Sequence, residues 1–150
     1  PLLKKILFSM TMSPVLALLF LALPVAILCD TCGGNCPGGR CTSCPCGTSS
    51  NYVDISTQCR QYTGWSQACC ECIAKAESGG NANAMNGNSN GSTDVGLWQI
   101  NTVNWNDCNG GSAPCGVSAN LNCAKKVFGY GSNTWRLWST CSKCGCCNKA

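Results

Sequence analysis

The sequence predicts an α+β, disulfide-rich fold that is mostly helical and carries a small antiparallel β-hairpin or sheet. Three observations lead there. Seventeen of the 150 residues are cysteine, the density of chains that rely on cross-links where the apolar core is small. Apolar residues recur at helical spacing in several segments closed by glycine. Between two of those segments, "NGNSNGS" places Asn-Gly pairs at 86–87 and 90–91, the strongest short-range signal for a hairpin.

Taken in order, residues 1–29 read as a signal peptide. Lys4 and Lys5 form a basic start, and an apolar run follows over 15–28. Pro14 and Pro24 interrupt that run, and it is shorter than the ~20 residues a spanning helix needs. A signal anchor is the alternative. Cleavage after Cys29 leaves sixteen cysteines, an even number, and removes two lysines and no acid, so the formal charge falls from +4 to +2. Such a chain is expected to be secreted, or delivered to the lumen of a digestive or lysosomal compartment, with no stable membrane association after cleavage. With no basic run longer than Lys125-Lys126, it is a poor partner for nucleic acid.

Residues 30–47, "DTCGGNCPGGRCTSCPCG", form a Cys/Gly/Pro-rich N-terminal module with almost no apolar side chain besides cysteine. Its shape must come from cross-links. "CTSC" has the spacing of zinc ligands, and Cys32, Cys36, Cys41, Cys44 and Cys46 could supply them. Disulfides fit an oxidising compartment better. The role of the module is open between a binding appendage and a protease-resistant arm.

Residues 48–150 read as one α-rich domain. Asp54 caps a short helix through Tyr62, closed by Gly64. Ser66 caps a second through Glu77, with Ala68, Cys72, Ile73 and Ala76 at helical spacings and Gly79-Gly80 ending it. The hairpin follows, and "DVGLWQI" supplies the next strand. Ser118 caps a third helix, "ANLNCAKKVF", ended by Gly129. "NTWRLWS" makes a last short helix with Trp135 and Trp138 on one side.

Candidates for chemistry are few. The chain has no histidine, which excludes a His-based triad, a Cys–His nucleophile pair and any His-ligated metal. Two carboxylates stand out in a stretch of small uncharged residues. Glu77 falls in the last turn of its helix, where the negative end of the macrodipole disfavours a carboxylate, and no lysine stands in the next turn to pair with it. Both effects push its pKa up, as a general acid at neutral pH requires. Asp94 follows a turn and is surrounded by Asn86, Asn88, Asn90 and Gln99, donors that favour the charged form of a carboxylate. Taken singly, a solvated helix-end glutamate and a turn-capping aspartate explain them. Taken together, one carboxyl biased neutral and one biased ionised match glycoside hydrolysis.

The residues around the pair are more specific. "AKAES" followed by "GSTDVGLWQIN" resembles the c-type lysozyme family, where a helix ends in A-K-x-E-S and G-S-T-D-x-G-x-x-Q-I-N follows. "NCAKKVF" and "TWRLWSTC" resemble the later helices of that family in the same order, so the likeness covers about residues 66–141. The resemblance implies a lysozyme-like fold in which the small sheet flanks an active-site cleft. It implies a muramidase that hydrolyses the β-1,4 bond between N-acetylmuramic acid and N-acetylglucosamine in bacterial peptidoglycan, or in a related N-acetylglucosamine polymer. No cofactor or metal is expected, and the chain is expected to act as a monomer.

Carried over position by position, Glu77 matches the general acid/base and Asp94 the nucleophile or stabiliser; this division of roles is the family's. Asn86 and Asn88 match polar residues beside the aspartate, and Gln99 and Asn101 match positions that contact sugar. Trp105 and Trp135 match aromatic residues lining the cleft, whose faces suit the apolar C–H surfaces of sugar rings. Trp98 and Trp138 are expected in the core. A Cys72–Cys141 bridge is implied.

Departures from the pattern matter too. Asn104 stands where the family usually offers another aromatic. The segment after Trp105 is shortened, and Cys108, Cys115 and Cys123 cannot reproduce all the family's pairings there. Calcium binding is not expected, because that segment keeps only Asp107. The N-terminal module and the "CSKCGCC" tail have no counterpart. Two rivals remain: a lytic transglycosylase working with Glu77 alone, and a non-catalytic glycan-binding or structural Cys-rich protein. Chitinase-like preference is a variant of the main reading.

Overall fold

Side chains start the first two helices as their types require. The Asp54 carboxylate accepts from the Thr57 amide at 2.7 Å and opens α1 (Ile55–Cys59). The Ser66 hydroxyl oxygen accepts from the Cys69 amide at 3.3 Å and opens α2 (Gln67–Ser78). Gly79, at φ 62°, closes α2 with its amide on the Lys75 carbonyl. α1 stops short of Tyr62: the Gln61 and Tyr62 amides turn to carbonyls three residues back, at Gln58 and Cys59, and the Cys59 carbonyl also accepts from the buried Trp65 indole at 3.0 Å. The computed structural model describes Cys32, Asn35, Cys36, Cys41 and residues 43–150, so the signal-peptide expectation lies outside the described residues.

After α2 come three short strands, β1 (Met85–Gly87), β2 (Thr93–Val95) and β3 (Ile100–Asn101), then α3 (Trp105–Asn109) and α4 (Val117–Tyr130). Single 3-10 turns occupy Thr102–Asn104 and Ser139–Cys141. The strands form one antiparallel sheet in the order β1-β2-β3. Helices, a small antiparallel sheet and many disulfides make this the α+β architecture expected from sequence. Among the described residues no helix is long and apolar enough to cross a membrane.

The sheet register sorts side chains by chemistry. Met85 pairs with Val95, which pairs with Ile100, and this apolar row is buried. Asn86 pairs with Asp94, which pairs with Asn101, so the neighbouring row is polar and lies on the opposite face. The strand expected over "DVGLWQI" is broken after Val95. Gly96 at φ 81° and Gln99 at φ 48° turn the chain back, which creates the β2–β3 pairing. A side chain at 96 is impossible here: its Cβ would lie 2.1 Å from Asn120 Nδ2. That buried amide donates to the Val95 and Pro114 carbonyls and accepts from the Trp98 amide, and so pins the turn.

Two later helix expectations are corrected. α4 begins at Val117 after Gly116 (φ 80°), so Ser118 sits inside the helix and no side chain caps it. It runs through Gly129 to Tyr130, whose hydroxyl bonds the Asp107 carboxylate and holds the last turn against α3. "NTWRLWS" is a series of turns, not a helix. Ser132 and Asn133 take positive φ, and the turns let both Trp135 and Trp138 enter the core, 4.9 Å apart between ring centroids.

That main core joins Ile73 and Ala74 of α2 to Leu121, Ala124, Val127 and Phe128 of α4, with Trp65, Trp98, Trp135 and Trp138 packed between. A second cluster lies under the sheet, where Met85 and Val95 meet Cys32, Cys36 and Cys41. The cysteines of the described residues form eight disulfides, which leaves no thiolate in residues 30–47 for zinc. Cys32–Cys44 and Cys36–Cys41 are local, and Cys46–Cys115 ties that segment to the loop before α4. The implied Cys72–Cys141 bridge is not formed. Cys69 and Cys72, three residues apart on one face of α2, pair with Cys146 and Cys144, while Cys141 closes on Cys147. The tail offers α2 two staples, and the resemblance foresaw one bridge to a different cysteine.

Candidate active site

The end of α2 and the polar row of the sheet face a common cleft of about 430 Å³. Glu77, the last residue but one of α2, stands on one wall, and Asp94 of β2 stands on the other. Ser78 fixes the helical wall: its hydroxyl donates to the Leu97 carbonyl at 2.8 Å and so ties the end of α2 to the 96–99 turn. The apolar parts of the lining come from Ile100, Val103, Val127, Leu137 and Trp138. Val103 and Leu137 are 79% and 53% exposed, which leaves the mouth open to a long ligand.

Glu77 is half-buried, and among the described residues no cation pairs with it. Burial raises its pKa above the ordinary value of 4.5. A hydrogen bond donated by Thr140 Oγ1 to Glu77 Oε1, at 2.5 Å, pulls the other way, and the Asp94 charge adds a smaller upward push. The direction agrees with the sequence reading, but loss of solvent, not the helix end, is the main cause.

Asp94 is held differently. Its Oδ2 accepts from Asn88 Nδ2 at 2.8 Å and its Oδ1 from Asn101 Nδ2 at 2.7 Å. Both amides also donate to the Ser92 hydroxyl oxygen at 3.0 Å, and Ser92 in turn donates to Asn90 Oδ1. Asn101 Oδ1 accepts from the Val103 amide, which spends the rest of its side chain on the 3-10 turn. A carboxylate gripped on both oxygens has little rotational freedom.

A family profile described as a lysozyme-like domain matches residues 63–140, a stretch that contains both carboxyls and both walls. The chain belongs to the lysozyme-like domain family. Membership brings a glycan as the substrate class and cleavage of a glycosidic bond as the reaction class. The disulfides place this lysozyme-like protein in an oxidising compartment of the extracellular kind.

Within this lysozyme-like site, the other candidate residues fall into three groups. Gln99 and Asn101 line the cleft, yet their amide donors are committed to protein, Gln99 Nε2 to the Ala84 and Gly96 carbonyls. Asn88 and Asn86 are absent from the lining. Asn88 grips Asp94, and Asn86 sits across the strand pair from it with a buried Oδ1 that has no partner among the described residues. The two tryptophans expected to line the cleft do not. Trp135 is fully buried and stacks in the core against Trp65 and Phe128, with no face left for sugar. Trp105 is half-buried between the two clusters, its indole donating to the Ile100 carbonyl at 2.9 Å. Trp138, in the core as expected, also lines the cleft while its indole donates to the Trp98 carbonyl at 2.8 Å. Asn104 does line the cleft, beside the exposed Val103.

Sequence reasoning overlooked three residues of the site. Thr140 touches Glu77, Ser92 joins the two amides on Asp94, and Ser78 anchors the helix end. All three lie inside the quoted motifs, so their presence was visible. What they touch depends on contacts across the fold.

Proposed function

We propose that this chain is a secreted lysozyme of the c-type kind, hydrolysing the β-1,4 bond between N-acetylmuramic acid and N-acetylglucosamine in peptidoglycan. One observation carries the reading. Two carboxyl groups line the same cleft, one half-buried, without a paired cation among the described residues and raised in pKa, the other clamped by two amides. Glu77, protonated, gives its proton to the glycosidic oxygen, and the leaving sugar departs. Asp94 stabilises the oxocarbenium-like centre or bonds to it. The Glu77 carboxylate then takes a proton from water attacking the same carbon, with net retention and the acid restored. In this reading residues 1–29 are the signal peptide, 30–47 the Cys-rich N-terminal module and 48–150 the catalytic domain, which works as a monomer without cofactor. The small positive charge is compatible with an anionic wall polymer.

The test is clearing of bacterial cell walls, with soluble products resolved by mass. Hydrolysis gives fragments with an ordinary reducing end. Products lighter by one water would instead mean intramolecular capture by a lytic transglycosylase, in which Asp94 has no task. Binding to walls with no release would reduce the protein to a glycan-binding module. Cleavage of N-acetylglucosamine polymers in preference to peptidoglycan would move the specificity to that of a chitinase.

A further inference from the structure

The "CSKCGCC" tail has no part in the chemistry above, yet it ends against the general acid. Cys72–Cys144 and Cys69–Cys146 staple the tail to α2, the helix that carries Glu77, and Cys141–Cys147 closes the tail on itself. The Cys144 amide returns to the Thr140 carbonyl at 3.2 Å, and the Cys146 amide to the Cys141 carbonyl at 2.9 Å. The 3-10 turn Ser139–Cys141 is therefore mounted on cross-links. Thr140 stands in it, half-buried, with Oγ1 2.5 Å from Glu77 Oε1.

We propose that Thr140 is a positioning residue for Glu77, donating to Oε1 so that the transferable proton resides on Oε2, and that the cystine tail serves to hold this donor in place. The proposal rests on the role given to Glu77 above. A carboxyl oxygen that already accepts a short hydrogen bond is a poor place for the acid proton, so the donor selects which oxygen carries it. After the proton has left, the same bond stabilises the carboxylate, which must survive until water arrives. It thus opposes burial and keeps the group able to give up its proton.

The charged surroundings leave Thr140 in a decisive place. Asp94 of β2 is the ionisable group acting on Glu77 across the cleft. On α2, Lys75 is exposed and Glu71 lies more than a turn earlier. From α4 the lining residue is Val127, which is neutral. Arg136 is exposed and engaged by Ser132, and Lys143 of the tail is exposed. Among the described residues, Thr140 is the hydrogen-bond donor found on the Glu77 carboxyl.

The experiment compares Thr140→Val, Thr140→Ser and wild type as the full secreted protein, with the disulfide pattern verified by mass. Carbon-13 NMR titration of the Glu77 carboxyl and the pH profile of wall clearing are both recorded. In Thr140→Val the Glu77 midpoint is expected to rise and the alkaline limb of activity to follow it. Turnover should fall by less than the ~10²–10⁴-fold cost of removing the acid itself, with KM unchanged. Thr140→Ser should restore midpoint and rate. Should Val disturb the disulfides, Thr140→Ala is the second donor-free variant. A midpoint unmoved in the donor-free variant, or Ser behaving as Val does, overturns the proposal. A wild-type protein that clears no wall would overturn the catalytic reading, and the NMR midpoint would then judge the Thr140 contact by itself.

Discussion

The two walls of the cleft hold their carboxyl groups by opposite means. On the helical wall Glu77 receives one hydroxyl donor, loses much of its solvent and has no cation paired with it among the described residues. On the sheet wall Asp94 receives an amide on each oxygen, from a row of residues set side by side by strand register. One group is tuned by what surrounds it poorly, the other by what grips it well. Two chemically similar side chains are thereby placed in unlike settings across one cleft. The supports differ as well: cystines brace the helical wall, whereas hydrogen bonds through Ser92 and Asn120 brace the sheet wall.

Breaking each wall at its carboxyl should give the largest effects. Glu77→Gln is expected to lower wall clearing by ~10²–10⁴-fold, since a chain without histidine has no substitute proton donor. Asp94→Asn is expected to cost ~10²–10³-fold, the scale of losing one electrostatic partner of the transition state. Initial rates of turbidity loss measure both. Asp94→Asn at the wild-type rate would transfer the site to the single-glutamate mechanism.

The support of the sheet wall comes next. Asn120→Leu removes a buried amide with three backbone partners, at Val95, Trp98 and Pro114. Each group left unpaired costs about 1–3 kcal/mol, so the urea midpoint should fall by an amount worth several kcal/mol. Activity in the variant that remains folded should fall as well, because the 96–99 turn carries β2 and β3. The helical wall is held by Cys69–Cys146 and Cys72–Cys144, which should keep it ordered.

A finer test separates gripping from binding. Asn101→Ala frees one oxygen of Asp94 and should lower kcat by up to ~10²-fold through misplacement, with KM little changed. If Asn101 held sugar instead, KM would rise first. In the Asp94→Asn background the Asn101 substitution should add almost nothing, since the two act as one unit.

The smallest expected effect lies on the helical wall and concerns stability. Glu77 binds its proton more tightly folded than unfolded, because burial raises its pKa. The stability it contributes is therefore present below the ordinary glutamate value and is lost as pH rises through the raised one. Glu77→Gln should melt slightly above wild type at neutral pH, and the two should converge below about pH 4. Scanning calorimetry across that window measures it. A wild type more stable than the Gln variant at neutral pH would mean that Glu77 is not strained by burial.

Legibility followed the range of the interactions involved. Asp54, Ser66 and Gly79 mark helix ends through bonds to residues three or four positions away, and these were readable. Although burial and not the helix end sets the Glu77 pKa, the positions of Glu77 at a helix end and Asp94 after a hairpin turn were readable too. The break at Gly96 was not, because its cause is the Asn120 amide arriving from α4. The start of α4 was misplaced because a glycine, and not Ser118, precedes its first turn. Trp135 was misplaced for a similar reason: it is enclosed, while Trp138, in the core as expected, is the one that also reaches the cleft. Their spacing is the same in a helix or in turns, and only the packing of Trp65, Phe128 and Trp98 decides which indole is enclosed.

By itself, then, the sequence determined the fold class, the N-caps of the first two helices, the hairpin and the positions of the two carboxyls that line the cleft. Each of these follows from residue types acting on near neighbours. Tertiary structure alone decided which cysteine meets which, since sixteen thiols admit many pairings and only the folded tail brings Cys144 and Cys146 to α2. It also decided that Asn88 and Asn101 serve Asp94, and that Thr140 reaches a glutamate 63 residues away. Hydrogen bonds need their atoms within about 3 Å, and that proximity is set by strand register and helix packing once the chain has folded.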